Sequence, residues 1–185
     1  MGILNRIVLS TAHWMPKVVI GRIASVYVAG DKLEDGIDLV RKLNKKGFVG
    51  TLDLLGEEVK NRRGITKTTN SYCDLIDGIA NSGVDCNISL KLTAIGLKVD
   101  ESLCWDNLSV ILDKAKMYNM FVRMDMEDSE VTESTIKMCK KAVNYYPNCG
   151  TVLQAYMYRT SDDIDLLKGP NTTIRLCKGA YKESK

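Results

Sequence analysis

The sequence is poor in the residues that usually announce a metal or redox centre: one histidine in 185 residues, and six cysteines without a single CxxC pair. Without closely spaced Cys–Cys or Cys–His ligands, neither a zinc site nor a redox disulfide is expected. Cys73, Cys86, Cys104, Cys139, Cys149 and Cys177 read instead as small apolar core groups of a reducing, cytoplasmic compartment. A surplus of charge is also missing. A net charge of +3, evenly spread, leaves no footprint for nucleic acid, and the doublets at Lys45, Lys46 and Arg62, Arg63 read as solvated loop or helix-end charges. Long apolar runs are absent from the first thirty residues. Arg6, His13, Lys17 and Arg22 interrupt them well short of the roughly 18 residues a spanning helix needs, so no export or membrane-crossing signal is read. His13, beside Trp14, reads as a surface or packing residue.

What is present is enough apolar residue, 45%, against 26% charged, to bury one core without disulfides or metal. Residues 1–30 are expected to form an N-terminal arm and residues 31–185 one domain. Asp31, with Glu34 three residues on, reads as a helix N-cap, and Leu33, Ile37, Val40 and Leu43 follow at helical spacing until Gly47. The next segment, FVGTLDLLGE, is short, apolar and bounded by glycine, which suits a strand buried on both faces. The unit then recurs. Helical stretches at Asn70–Ala80, Leu103–Tyr118 and Thr132–Tyr145, and a short piece capped from Thr160, lead to CNISLKLTAIG, MFVRMDMED, GTVLQAYMYR and TIRLCKGAY respectively. Five strands alternating with helices, with no low-complexity linker between them, have the rhythm of parallel βα units.

Side chains alternate along a strand, so Leu90 and Leu92 share one face while Ser89, Lys91 and Thr93 share the other. Likewise Val122, Met124 and Met126 oppose Arg123, Asp125 and Glu127. Asp53, Gln154 and Arg175 each stand between apolar neighbours in the same way. In an open sheet covered by helices on both sides, such residues would be buried without partners; inside a barrel they can pair with one another or with a bound polar molecule. The expected fold is therefore α/β, a (βα)8 TIM-barrel type. In such barrels functional residues lie at the C-terminal ends of strands, and Lys91, Asp125, Gln154, Arg175 and Lys178 fall toward those ends.

These segments, VAGDKLEDGIDLVRKLNKKGFVGTLDLLGE, ISLKLTAIGL, VRMDMEDS, VLQAYMYR and RLCKGAY, in this order and at fitting intervals, resemble the proline dehydrogenase family from about Val28 onward. The resemblance implies a distorted (βα)8 barrel holding FAD, of which about five βα units are in this chain. It implies the oxidation of L-proline to 1-pyrroline-5-carboxylate, the first step of proline breakdown to glutamate, with a quinone-type electron acceptor at a membrane surface. By the same resemblance Lys91 and Asp125 line the proline pocket beside the flavin, Gln154 hydrogen-bonds the isoalloxazine, Arg175 and Lys178 contact the flavin with Gly179 and Ala180, and Tyr181 stands beside the active site. The family continues beyond the KGAY strand through three more strands and a helix whose paired arginines hold the proline carboxylate. The 185-residue chain alone is accordingly expected to associate with itself or to need a complementing C-terminal chain, to bind FAD weakly, and to oxidise proline negligibly.

Each assignment has a plainer competitor. Asp53 can be a structural residue holding a loop or a backbone N–H. Lys91 and Asp125 can be an internal ion pair that fills polar space. Glu127 and Asp128 can cap the helix near Ser129, the preferred reading for Asp128. Met124, Met126 and Met157 read as outward strand residues packed against helices. Two other functions remain open: a Schiff-base aldolase or lyase with Lys91 as nucleophile and Arg175 and Lys178 on a substrate phosphate, and a non-catalytic barrel fragment that needs a partner chain.

Overall fold

The computed structural model describes residues 28–169, 172–181 and 183. His13, Trp14 and nearly all of the expected N-terminal arm lie outside these. Helices and strands alternate along the rest: α1 (Leu33–Asn44), β1 (Gly50–Leu52), α2 (Arg62–Ser82), β2 (Cys86–Leu90), a 3-10 turn (Leu92–Ile95), α3 (Glu101–Met117), β3 (Val122–Met124), α4 (Ser129–Ala142), β4 (Cys149–Gln154), α5 (Thr160–Leu167) and β5 (Thr173–Cys177). The strands form one sheet in the order β1-β2-β3-β4-β5, every neighbouring pair parallel. Five βα units in sequence order make a half-barrel, as expected from the alternation.

Local chemistry sets most of the helix ends. Asn61 caps α2 by accepting from the Gly64 amide at 2.8 Å, and Gly83 stops it at φ 66°, a left-handed conformation that glycine adopts without strain. Asp100 caps α3 through Leu103 N–H, and Asp128 caps α4 through Glu130 N–H, as its sequence position suggested. Two expected caps differ. The cap residue of α1 is Lys32, not Asp31, because Asp35 reaches back to accept from the Lys32 amide at 3.3 Å. At α5 the cap is Arg159, and the Thr160 hydroxyl instead donates to the Gln154 carbonyl, tying the helix to the end of β4.

The core lies between sheet and helices. On α2, Ile65, Thr69, Tyr72, Ile76 and Ile79 recur at three- and four-residue intervals and are all buried. Ile88 and Leu90 of β2, Val122 and Met124 of β3, and Leu108, Ile111 and Leu112 of α3 complete the same layer. Burying each such side chain contributes about 1.5–3 kcal/mol. Met124 and Met126 join this core as expected, whereas Met157 lies in the turn after β4 rather than on a strand. The strand in FVGTLDLLGE is shorter than expected and not buried on both faces: Phe48 and Val49 are exposed and only Gly50 of β1 is buried. Its position explains this, since β1 is at the sheet edge and pairs with β2 alone. β5 is the other edge. Every residue of β4 is buried, while Leu176 of β5 is 59% exposed. β4 and β5 approach so closely that a Cβ at Gly150 would run into the Thr173 carbonyl.

Candidate active site

The polar face of the strands carries two crossed ion pairs at its C-terminal end. Lys91, the first residue after β2, places its Nζ 2.7 Å from Asp53 Oδ2, just beyond β1. Asp125, the first residue after β3, lies 3.4 Å from the guanidinium of Arg175 on β5. The pairs are close enough to influence one another: Asp53 and Lys91 both act on the charge of Asp125. The sheet produces this arrangement through its register. Leu90, Met124, Thr151 and Ile174 are aligned across four strands, so Lys91, Asp125, Val152 and Arg175, one residue later, share the next level and the opposite face.

Burial and pairing work against each other here. Removal from water raises the Asp125 carboxyl above its ordinary range, with Arg175 opposing that rise. Desolvation pulls the Lys91 ammonium down, but the hydrogen bond and charge of Asp53, with Asp125 and Glu127 behind it, leave it above the ordinary lysine value. This counts against the Schiff-base alternative, which requires burial to lower the amine. Lys91 is held protonated.

Gln154, the last residue of β4 and 2% exposed, ties three segments together. Its amide nitrogen donates to the Glu127 carbonyl at 2.8 Å, and its amide oxygen accepts from the Ala180 N–H at 3.2 Å. The turn after β5 is therefore fastened to the loop after β3. Gly179 has φ 105° and lies against the Tyr156 ring, where a Cβ would collide, so this position admits glycine only. Tyr181 reaches the loop after β1, its hydroxyl 3.1 Å from Glu57, and its carbonyl accepts from the Tyr156 hydroxyl. Lys178 is exposed beside this turn. The structure thus brings Lys91, Asp125 and Arg175 into one charged network, and places Gln154, Gly179, Ala180 and Tyr181 in an adjoining one.

Two pairings differ from the sequence-based expectations. Lys91 pairs with Asp53 rather than Asp125, because its long side chain turns toward β1 while Arg175 reaches across β4 to Asp125. Asp53 accordingly holds a lysine and a tyrosine, not a backbone N–H. Glu127 does not cap α4; it is 2% exposed and accepts from both the amide and the hydroxyl of Thr93, closing the 3-10 turn that follows Lys91. Thr93 thereby leaves the strand face on which alternation had placed it. Tyr72 was not singled out in the sequence. It is fully buried on α2 and donates to Asp53 Oδ1 at 2.8 Å, and the signal was its place on a helix stripe made mainly of isoleucines, where a phenol needs a partner. Among the described residues, no group of three or more His, Cys, Asp or Glu side chains is placed to hold a metal ion, and no helix is long and apolar enough to cross a membrane.

The model of the family described as "Proline dehydrogenase" matches residues 37–185. Proline dehydrogenase 1 of Bacillus subtilis subsp. natto is 38% identical over 158 residues, which are 85% of this chain and 52% of that protein. Proline dehydrogenase 2 of Bacillus subtilis (strain 168) is 36% identical over 183 residues, 99% of this chain and 58% of its own length. The chain thus spans about half the length of the curated relatives it matches. Among solved structures, proline utilization A (PutA) from Bdellovibrio bacteriovorus, inactivated by N-propargylglycine, superposes with a TM-score of 0.78 at 22% identity, over 85% of this chain and 20% of that one. At that identity the likeness speaks for the fold.

Proposed function

The chain belongs to the proline dehydrogenase family, and on that premise we propose that it carries the site at which L-proline is oxidised to 1-pyrroline-5-carboxylate, with FAD taking the electrons. The observation that carries this reading is the pair of linked acid–base contacts, Asp53–Lys91 and Asp125–Arg175, on the polar face at the C-terminal strand ends. The donor set suits a flavin: the half-exposed Arg175 guanidinium and the exposed Lys178 ammonium are cationic donors beside a turn that Gln154 pins in place. FAD would be held by Arg175 and Lys178 with Gln154, Gly179 and Ala180, and when bound it supplies an acceptor for the hydride leaving proline C5.

The chain's own residues then have separable tasks. Lys91 uses one of its three ammonium donors on Asp53, leaving two for the carboxylate of an amino acid. Because Lys91 stays protonated, it binds and orients rather than acting as base. Asp125, whose carboxyl is raised by burial, is placed to take the proton that proline nitrogen must lose before C5 can give up hydride. Arg175 opposes the rise that burial imposes on Asp125 and presents positive charge where electrons arrive. Tyr181, tethered to Glu57, closes the side of the site nearest the loop after β1. The onward electron acceptor of this reading is a quinone at a membrane surface.

The test is formation of the cyclic imine from proline by this chain co-expressed with the C-terminal portion of Bacillus subtilis proline dehydrogenase 2, with FAD. Asp125→Ala and Arg175→Ala should each lower turnover by on the order of tenfold to a thousandfold, the usual cost of removing a preorganised charge. Unchanged turnover in both would refute these roles. Trapping of a borohydride-stable adduct on Lys91 would instead establish the Schiff-base alternative.

A further inference from the structure

Tyr72 belongs to helix α2, on its buried stripe rather than on the polar face of the strands, and is 0% exposed. Its hydroxyl nevertheless reaches the sheet and donates to Asp53 Oδ1 at 2.8 Å, while Asp53 Oδ2 accepts from Lys91 Nζ at 2.7 Å. The two oxygens of one carboxylate are thus claimed from opposite sides, by a rigid phenol anchored in the core and by a flexible ammonium. A carboxylate on a short side chain would otherwise rotate between partners; a donor fixed in the packed layer removes that freedom. Lys91 has four rotatable bonds, and its ammonium is located by the one strong contact it makes, to Asp53.

We propose that Tyr72 is a positioning residue for the site: through its hydroxyl it fixes Asp53, and Asp53 in turn fixes the direction in which the Lys91 ammonium presents its remaining donors. This deepens the proposed function and rests on it for the identity of the group that Lys91 meets, the carboxylate of an amino acid. Three observations support the relay beyond the two distances. The ring of Tyr72 lies on the buried stripe with Ile65, Ile76 and Ile79, so packing would be satisfied by phenylalanine and the hydroxyl has its partner only in Asp53 and the adjoining Leu54 amide. Burial and the neighbouring Asp53 charge drive the phenol well above its ordinary range, so it remains a donor throughout the working pH range. Lys91 is faced by Asp53 from the end of β1, by Asp125 from the end of β3 and by Glu127 from the loop beyond it. Of these three carboxylates only that of Asp53 lies within ion-pair distance of Lys91, Asp125 being paired with Arg175 and Glu127 with Thr93, and Asp53 is the one that Tyr72 holds.

The relay predicts non-additivity, which a purely packing role does not. The readout is competitive acetylation of lysines in the full 185-residue chain at neutral pH, with each site followed by peptide mass spectrometry, and no substrate or flavin is needed. In the native chain Lys91 should be modified far more slowly than the exposed Lys45 and Lys46. Asp53→Asn should raise Lys91 labelling about tenfold, and Tyr72→Phe about threefold or more, as expected when a hydrogen bond to a charged group is removed or weakened. The double variant should match Asp53→Asn alone. Unreactive Cys104 and Cys139, both buried, report that the fold is retained. Tyr72→Met serves as a second variant lacking the hydroxyl. Labelling of Lys91 in Tyr72→Phe equal to that of the native chain, or a double variant that exceeds Asp53→Asn, would overturn the proposal; so would unfolding of both Tyr72 variants while Asp53→Asn folds, because Tyr72 would then be a packing residue. If labelling behaves as expected and the completed protein still does not oxidise proline, the proposed function falls and the relay stands. If both hold, Tyr72→Phe should raise the KM for proline more than it lowers kcat, since it disturbs the group that orients the substrate.

Discussion

Gln154→Ala should loosen the turn after β5 by an amount that can be worked out from the contacts of one side chain. The native amide is 2% exposed, donates to the Glu127 carbonyl at 2.8 Å and accepts from the Ala180 amide at 3.2 Å. Truncation leaves a buried carbonyl and a half-buried N–H without these partners, at about 1–3 kcal/mol for a fully buried group and less for one that water can reach. Lost packing of the removed atoms adds roughly 1 kcal/mol. The expected loss is therefore about 3 kcal/mol, a substantial part of the 5–15 kcal/mol typical of a folded domain. Urea unfolding followed by circular dichroism measures the total, and amide hydrogen exchange at Ala180 measures the local part. Exchange at Ala180 should accelerate more than at β2 or β3, because the lost contact joins the segment after β5 to the rest. Gln154→Glu should recover little: it keeps an acceptor for Ala180 but turns a negative oxygen toward the Glu127 carbonyl. A stability change below about 1 kcal/mol together with unchanged exchange at Ala180 would refute the assignment of Gln154 as the link between these segments.

Two further outcomes follow from buried titrating groups. Burial raises both Asp125 and Glu127 above the ordinary carboxyl values of 3.8 and 4.5, so the folded state favours their protonated forms; their contribution to stability is fullest below those values and is lost as pH rises through the raised folded values. Glu127→Gln should therefore flatten the decline in urea midpoint as pH rises above the ordinary carboxyl value of 4.5, and an unaltered pH profile would show that Glu127 does not titrate differently on folding. Burial pushes the thiols of Cys104, Cys139 and Cys149 up to about 12 and that of Cys86 up to about 11. Alkylation of the folded chain at neutral pH should then go to the partly exposed Cys73 and Cys177, with the other four modified only after denaturation; rapid labelling at Cys104 in the folded chain would contradict the core described here.

The parallel layer was readable because its signals are local and repeated. Runs such as CNISL and CGTVLQ sit between helices with buried apolar stripes, and Asp128, read as a cap, stands three residues before Val131, the first buried residue of its helix. Period-two alternation placed Lys91, Asp125 and Arg175 on one face, and the structure brings them into one network. Who pairs with whom was not legible, because alternation fixes the face and leaves the stagger between strands free. Asp53 was therefore placed on the polar face without a named partner, although the sheet brings it to Lys91, 38 positions later. Thr93 and Glu127 were misplaced for a related reason. Alternation assumes that the strand continues, and the chain instead turns into a 3-10 segment after Lys91 that Glu127 closes. Tyr72 was invisible to any motif, since its role depends on a helix packing over a strand end. The caps of α1 and α5 show the limit of cap rules, which locate a helix start to within a residue or two but not the side chain that satisfies it.

Under the proposed function, Asp125 and Arg175 of this polar face serve proline oxidation and Lys91 orients the substrate. The most direct test of this reading is the visible flavin spectrum, under anaerobic conditions, of the chain co-expressed with the C-terminal portion of Bacillus subtilis proline dehydrogenase 2 and loaded with FAD. Addition of L-proline should bleach the flavin bands, and Asp125→Ala should slow the bleaching at least about tenfold while leaving the bound flavin in place. A complex that holds flavin but does not bleach with proline, or that bleaches equally fast without the Asp125 carboxylate, would contradict it.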